Sequence, residues 1–188
     1  TGLDPDSTQR DKEIITVLEK MGAKIERENT GYHIAGNGVP LHGETVSAAQ
    51  CPDLVPVMAV AMTGASGTST ITDAQRLRIK ESDRLATVCD FLTILGTNIR
   101  QTKDGLIIDE NNDSTDPSGP AAHCPAPSLC GGTVSSHNDH RIAMAAAVAS
   151  CRADGPVIIT GAEAVKKSYP DFFTDFTKLG GKIEILEN

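Results

Sequence analysis

Aromatic side chains are scarce in this chain. The 188 residues hold only Tyr32, Phe91, Tyr169, Phe172, Phe173 and Phe176, with no tryptophan, so Val, Ile, Leu, Ala and Met must build the core. Long apolar runs are missing too. None reaches the ~18 residues that a membrane helix requires, and no charged-then-apolar leader stands at the N-terminus. We therefore expect neither a membrane span nor a membrane partner. Basic residues are in deficit, 17 Lys+Arg against 25 Asp+Glu, for a formal net charge of −8. That balance argues against a nucleic-acid partner, which wants a basic face. It leaves room for a small anion, because a few converging cations set the local field whatever the total charge. Cys51, Cys89, Cys124, Cys130 and Cys151 form no Cys-x-x-Cys pair and are odd in number. They are expected as free thiols in a reducing, cytoplasmic compartment. An initiator Met is absent as well, and a chain opening Thr1-Gly2-Leu3 reads as a piece of something longer.

What is present is globular: 39% hydrophobic and 22% charged residues in a length that suits one large domain or two small ones. Its strongest organisational signal is self-similarity. Three segments, 17–25, 91–99 and 176–183, each read as a helix ending at a glycine (Gly22, Gly96, Gly180) that leads into a strand. Glycine suits the left-handed position after a helix, where a Cβ is penalised. Upstream of the second and third copies lies another helix–strand pair. Pro52 to Met62 precedes Thr68–Thr72, and Arg141 to Ser150 precedes Val157–Thr160. Lys103-Asp104-Gly105 makes a hairpin turn before Leu106–Asp109. The unit is therefore βαβαββ, occurring about three times over residues 1–188, with the first copy truncated. Residues 111–132, with four prolines, read as an exposed, mobile insertion between units two and three.

Polar residues concentrate at the helix starts. Arg78-Ile-Lys-Glu-Ser-Asp-Arg84 opens a helix with Leu85, Val88, Leu92 and Leu95 on one face, capped at Ser82 or the residue before it. Lys80 and Arg84, four apart, are expected to point the same way from its first turn. Cations there oppose the helix dipole by ~0.3–1 kcal/mol each, and a bound anion would reverse that cost. His137-Asn-Asp-His-Arg141 precedes the Ala-rich helix, with Asn138 or Asp139 as its cap. The spacing of Cys124, Cys130, His137 and His140 fits no common zinc pattern, so no metal is expected. Lys166-Lys-Ser-Tyr-Pro-Asp171 is a third start, with Pro170 in the first turn and Phe172 or Phe173, Phe176 and Leu179 buried. Cys51-Pro-Asp53 is a fourth, whose Pro56 kinks the helix or delays its beginning. Repeats stacked with one handedness bring Asp53, Lys80, Arg84, Arg141 and Lys167 to one rim, an anion site with a carboxylate in it. Three or four charged hydrogen bonds there, at ~1.5–3 kcal/mol each, suffice to hold a phosphate or carboxylate.

The series Arg78–Arg84, Asn138-Asp-His-Arg-Ile-Ala-Met144 and Lys167-Ser-Tyr-Pro170, with Pro52-Asp53 upstream, resembles the 5-enolpyruvylshikimate-3-phosphate synthase family. The sister transferases acting on UDP-N-acetylglucosamine lack this series. The resemblance covers nearly the whole chain. It implies an α/β (α+β) fold of two domains, each made of βαβαββ units around a pseudo-threefold axis, this chain being the domain that carries the C-terminus. It further implies transfer of the enolpyruvyl group from phosphoenolpyruvate to the 5-hydroxyl of shikimate-3-phosphate, without a metal or organic cofactor, in a monomer completed by a missing N-terminal domain. By the same implication Asp53 accepts the hydroxyl proton and Lys80 contacts the shikimate-phosphate side. Glu81 exchanges a proton with the methylene carbon. Arg84, Arg141 and Lys167 hold phosphoenolpyruvate, and Lys167 shares in the proton transfers. The isolated chain is expected to be inactive. Two other readings stay open on the residues themselves: a non-catalytic anion-binding module using the same rim, and a relative of the UDP-N-acetylglucosamine transferase.

Overall fold

A computed structural model describes residue 4 and residues 6–36, 38–110 and 128–186 of the chain. In chain order its elements are helix α1 (Glu13–Lys20), strands β1 (Lys24–Glu28), β2 (Gly31–Ala35), β3 (Leu41–His42) and β4 (Thr45–Ser47), and helix α2 (Val55–Met62). Then come β5 (Ala65–Ser66), β6 (Ser69–Thr72), α3 (Arg84–Ile94), β7 (Ile99–Gln101) and β8 (Leu106–Ile108). Strand β9 (Gly132–Ser135), α4 (His140–Ser150), β10 (Val157–Thr160) and α5 (Phe172–Lys178) complete the series.

One full βαβαββ unit runs from β4 to β8. Its sheet has the order β4-β6-β8-β7, with β4 parallel to β6 and β8 antiparallel to both β6 and β7. Val46 faces Ile71, and Ile71 faces Leu106, so one side of the sheet is apolar and buried. The first unit keeps α1 and the antiparallel hairpin β1–β2, and the third has β9 parallel to β10 around α4. Helix α2 is apolar on all sides, the signature of a helix surrounded by protein. Met58, Ala59 and Met62 are buried there, and α2 packs on α3 and α4. Six residues of α4, five of them alanine, are buried too, which lets helix axes approach closely. Burying a side chain such as Met58, Leu85 or Leu92 is worth about 1.5–3 kcal/mol each.

Gly22, Gly96 and Gly180 all take left-handed φ values of 99°, 85° and 100° behind their helices. Pro56 delays α2 as expected: a 3-10 turn over Pro52–Leu54 precedes it, leaving Asp53 in that turn.

Several local expectations are corrected. The cap of α3 is Asp83, whose carboxylate accepts from the Ala86 amide at 3.1 Å, one residue later than Ser82. The helix thus begins at Arg84, and Lys80 lies outside it in extended backbone, so helical spacing is not what brings the two together. Pro170 stands before the α5 cap rather than in its first turn. Helix α5 has no buried residue, and Leu179 is 89% exposed; Phe172 packs edge-on against Tyr169 at 5.7 Å, and Phe173 and Phe176 pack on Phe172. Among the described residues no strand follows Gly180, and residues 182–186 are exposed. In the complete unit β8 bridges β6 and β7, whereas among the described residues the third unit's sheet holds β9 and β10. Cys51, Cys89 and Cys151 are free thiols, whereas Cys130 is disulfide-bonded; composition counts sulfurs without placing them. The expected insertion and Cys124 lie outside the described residues over 111–127. Its far end is ordinary structure: Leu129 is buried and bridges Ala153, and Gly132 already belongs to β9.

Candidate active site

The helix starts of the second and third units carry the site. Asp53 projects from the 3-10 turn ahead of α2, Lys80 and Glu81 from the link into α3, and Arg84 is the first residue of α3. Asp139 caps α4 by accepting from the Arg141 amide at 2.9 Å, and so sets where Arg141 begins. The turn before it is strained, with His137 and Asn138 both left-handed at φ 49° and 57°. Ser136 holds that turn. Its hydroxyl donates to the Gly161 carbonyl at 2.8 Å and accepts from the Asn138 amide at 3.1 Å.

Four carboxylates and three cations meet here. Arg84 is 1% exposed, and four of its five N–H groups point at acids. Nε and Nη2 fork onto Asp139 at 2.7 and 3.2 Å, Nη2 also reaches Glu81 at 2.7 Å, and Nη1 reaches Asp53 at 2.6 Å. Asp139 is wholly buried, and Ser82 donates to it as well at 3.1 Å. Lys80 and Arg141 each stand 3.5 Å from Asp53, and Arg141 lies 3.4 Å from Asp11. Those last contacts are longer than the ~2.7–2.9 Å of a tight charged hydrogen bond. Lys80 at 35% and Arg141 at 28% exposure are open to an incoming anion, whereas Arg84 is buried among its acids.

Burial pushes the Asp53 carboxyl upward. The charge of Arg141, the hydrogen bond from Arg84 and the charge of Lys80 outweigh it, holding Asp53 below the ordinary carboxylate range. Asp53 is therefore ionised at neutral pH. Burial likewise raises Asp139, and the Arg84 hydrogen bond and charge, the Arg141 amide and Ser82 more than reverse it. His140 is pushed down, chiefly by burial, and its Nδ1 has no hydrogen-bond partner among the described residues. It is a neutral imidazole at pH 7.

Five of the six sequence-predicted residues, Asp53, Lys80, Glu81, Arg84 and Arg141, thus share one ion-pair network. Lys167 stands at its margin. Its Nζ donates to the Asn138 carbonyl at 2.5 Å and, among the described residues, makes no ion pair. None of the six lines the hollow of about 580 Å³ beside α3 and β9, nor that of about 600 Å³ beside α1. Sequence reasoning gave Asp139 and Ser82 only capping roles and passed over Asp11. For Asp139 a signal existed, since three cations at two helix starts need more counter-charge than Asp53 and Glu81 supply.

A family profile described as EPSP synthase (3-phosphoshikimate 1-carboxyvinyltransferase) matches residues 1–176. The chain is 45% identical over 182 residues to a 3-phosphoshikimate 1-carboxyvinyltransferase of Clostridium novyi (strain NT), covering 97% of this chain and 38% of that protein. It is 44% identical over 183 residues to the protein of the same name from Clostridioides difficile (strain 630), with the same coverage of each. It thus spans about two fifths of the length of these curated relatives. Among solved structures, EPSP synthase from Acinetobacter baumannii superposes with a TM-score of 0.72 at 33% identity, over 100% of this chain and 42% of that one. The enolpyruvyl transferase NikO from Streptomyces tendae shares the fold, with a TM-score of 0.68 at 20% identity over 93% of this chain and 36% of that one. By profile, by identity and by architecture, the chain belongs to the EPSP synthase family.

Proposed function

We propose that the polypeptide containing this chain transfers the enolpyruvyl group of phosphoenolpyruvate to the 5-hydroxyl of shikimate-3-phosphate, releasing phosphate, and that this chain supplies one wall of the site. The observation that carries the reading is the meeting of Asp53, Lys80, Glu81, Arg84 and Arg141 from three separate helix starts. Family membership supports the choice of substrates.

The chemistry asks for what the wall offers. The hydroxyl oxygen bonds to the central enol carbon as its proton leaves, and the methylene carbon gains a proton. The resulting tetrahedral adduct then loses that methylene proton and expels phosphate, leaving the enol ether. Atoms and electrons balance without an oxidant or a cofactor. Asp53, ionised and held by cations, accepts the hydroxyl proton. Glu81, fixed on Arg84 at 2.7 Å, serves the methylene carbon. Lys80 receives the shikimate-phosphate side. Arg141, Arg84 and Lys167 meet the charge of phosphoenolpyruvate and of departing phosphate, and Lys167 shares the proton transfers. The rest of the polypeptide, an N-terminal domain, closes the site in a monomer, and the isolated chain does not turn over. A cytoplasmic setting belongs to the same proposal; of the four described cysteines Cys51, Cys89 and Cys151 are free thiols, as a reducing compartment leaves them, and the disulfide of Cys130 counts against it.

The test is phosphate release by the full-length polypeptide from phosphoenolpyruvate and shikimate-3-phosphate, with UDP-N-acetylglucosamine as the contrasting acceptor. Asp53→Ala and Glu81→Gln should each lower kcat by about 10²-fold or more. Unchanged turnover in either, or consumption of the nucleotide sugar instead, overturns the assignment.

A further inference from the structure

Asp139 is the most buried charged group among the described residues, and nothing in the enolpyruvyl-transfer reading uses it. Both its oxygens are fully engaged. Oδ2 accepts from Arg84 Nε and Ser82 Oγ, and Oδ1 accepts from Arg84 Nη2 and the Arg141 amide. Taking up Nε and one Nη2 N–H together locks the plane of the Arg84 guanidinium, as a bidentate fork does. The same guanidinium holds Glu81 through Nη2, which it shares with Asp139, and Asp53 through Nη1. A small rotation of Arg84 would therefore move both acids at once.

We propose that Asp139 is a positioning residue for the transfer, acting through Arg84 to hold Asp53 and Glu81 at a set separation. The inference rests on the function proposed above. It sets a claim about kinetics against a plainer role, the capping of α4. The two roles separate because Asn and Ser cap helices about as well as Asp, yet neither can accept the two-point fork of Arg84. Four of the five Arg84 N–H groups are bound to acids, so its displacement acts on the proton-moving acids more than on substrate binding.

The experiment uses the full-length polypeptide carrying Asp139→Asn or Asp139→Ser, with thermal unfolding to confirm folding and steady-state kinetics with both substrates. The expected result is a kcat lower by about 10²-fold in both variants, since misplacing reacting groups by an ångström costs that much. The KM of each substrate should stay within about threefold, the signature of an interaction felt at the reacting step rather than in binding. Unmodified kcat, or a raised KM at unchanged kcat, would overturn the proposal. So would failure of both capping-competent variants to fold, which would make Asp139 a stability residue alone. No turnover by the unmodified protein would instead bring down the transferase reading, and this inference with it.

Discussion

Arg84 sits where the helix dipole disfavours a cation and where water cannot reach it, and three carboxylates offset both costs. Removing one member of such a buried pair costs about 3–5 kcal/mol, because the other is left charged and alone. The same pairing makes stability depend on pH. Asp139 lies below its ordinary value in the folded chain, so its contribution is complete above the unfolded value of about 3.9 and drains away as pH falls through the folded one. We expect the melting temperature to hold between pH 7 and about 5 and to fall below about 4. Asp139→Asn should start lower at pH 7 and fall less steeply on acidification. Calorimetry across pH 3–7 compares the two slopes.

Among the elements, local chemistry was readable wherever one residue decides a conformation. Gly22, Gly96 and Gly180 mark helix ends because only glycine takes that φ without cost, and all three fall in the left-handed region. The α3 cap was misplaced by one residue because Ser82 and Asp83 both can cap, and Ser82 is drawn away to Asp139 by a contact across 57 positions. Asp83→Ala should cost about 1 kcal/mol in denaturant titration, the usual worth of an N-cap. Gly105 is demanding for another reason. A Cβ there would run into the Ile71 carbonyl where the β7–β8 hairpin crosses β6. Gly105→Ala should therefore destabilise by about 1–3 kcal/mol, as overpacking does, and the same titration measures it.

Across the molecule the three buried helices share one core, and Met58 lies at full burial within it. Met58→Ala should lower the unfolding free energy by about 2–5 kcal/mol. The edge of the third unit is the contrast. Ile183, Ile185 and Leu186 are 43%, 86% and 58% exposed and carry no ladder. Hydrogen exchange on this chain should find the amides of 182–186 unprotected and those of β6 and β8 slow; protection at 182–186 would contradict the fold described.

Periodicity, glycine placement and repetition are local properties, and from them alone came the βαβαββ unit, its boundaries within a few residues and the four helix starts where charge collects. The motif series alone was enough to point at the family. Which groups touch is a different kind of fact, since Asp53, Arg84 and Asp139 are joined across gaps of 31 and 55 positions. Only packing of α2, α3 and α4 turned those starts toward one another, buried Arg84 and left Lys80 and Arg141 open. The fate of residues 182–186 was likewise decided by neighbours. A strand exists only where another backbone offers its hydrogen bonds, and alternating isoleucines cannot supply that themselves.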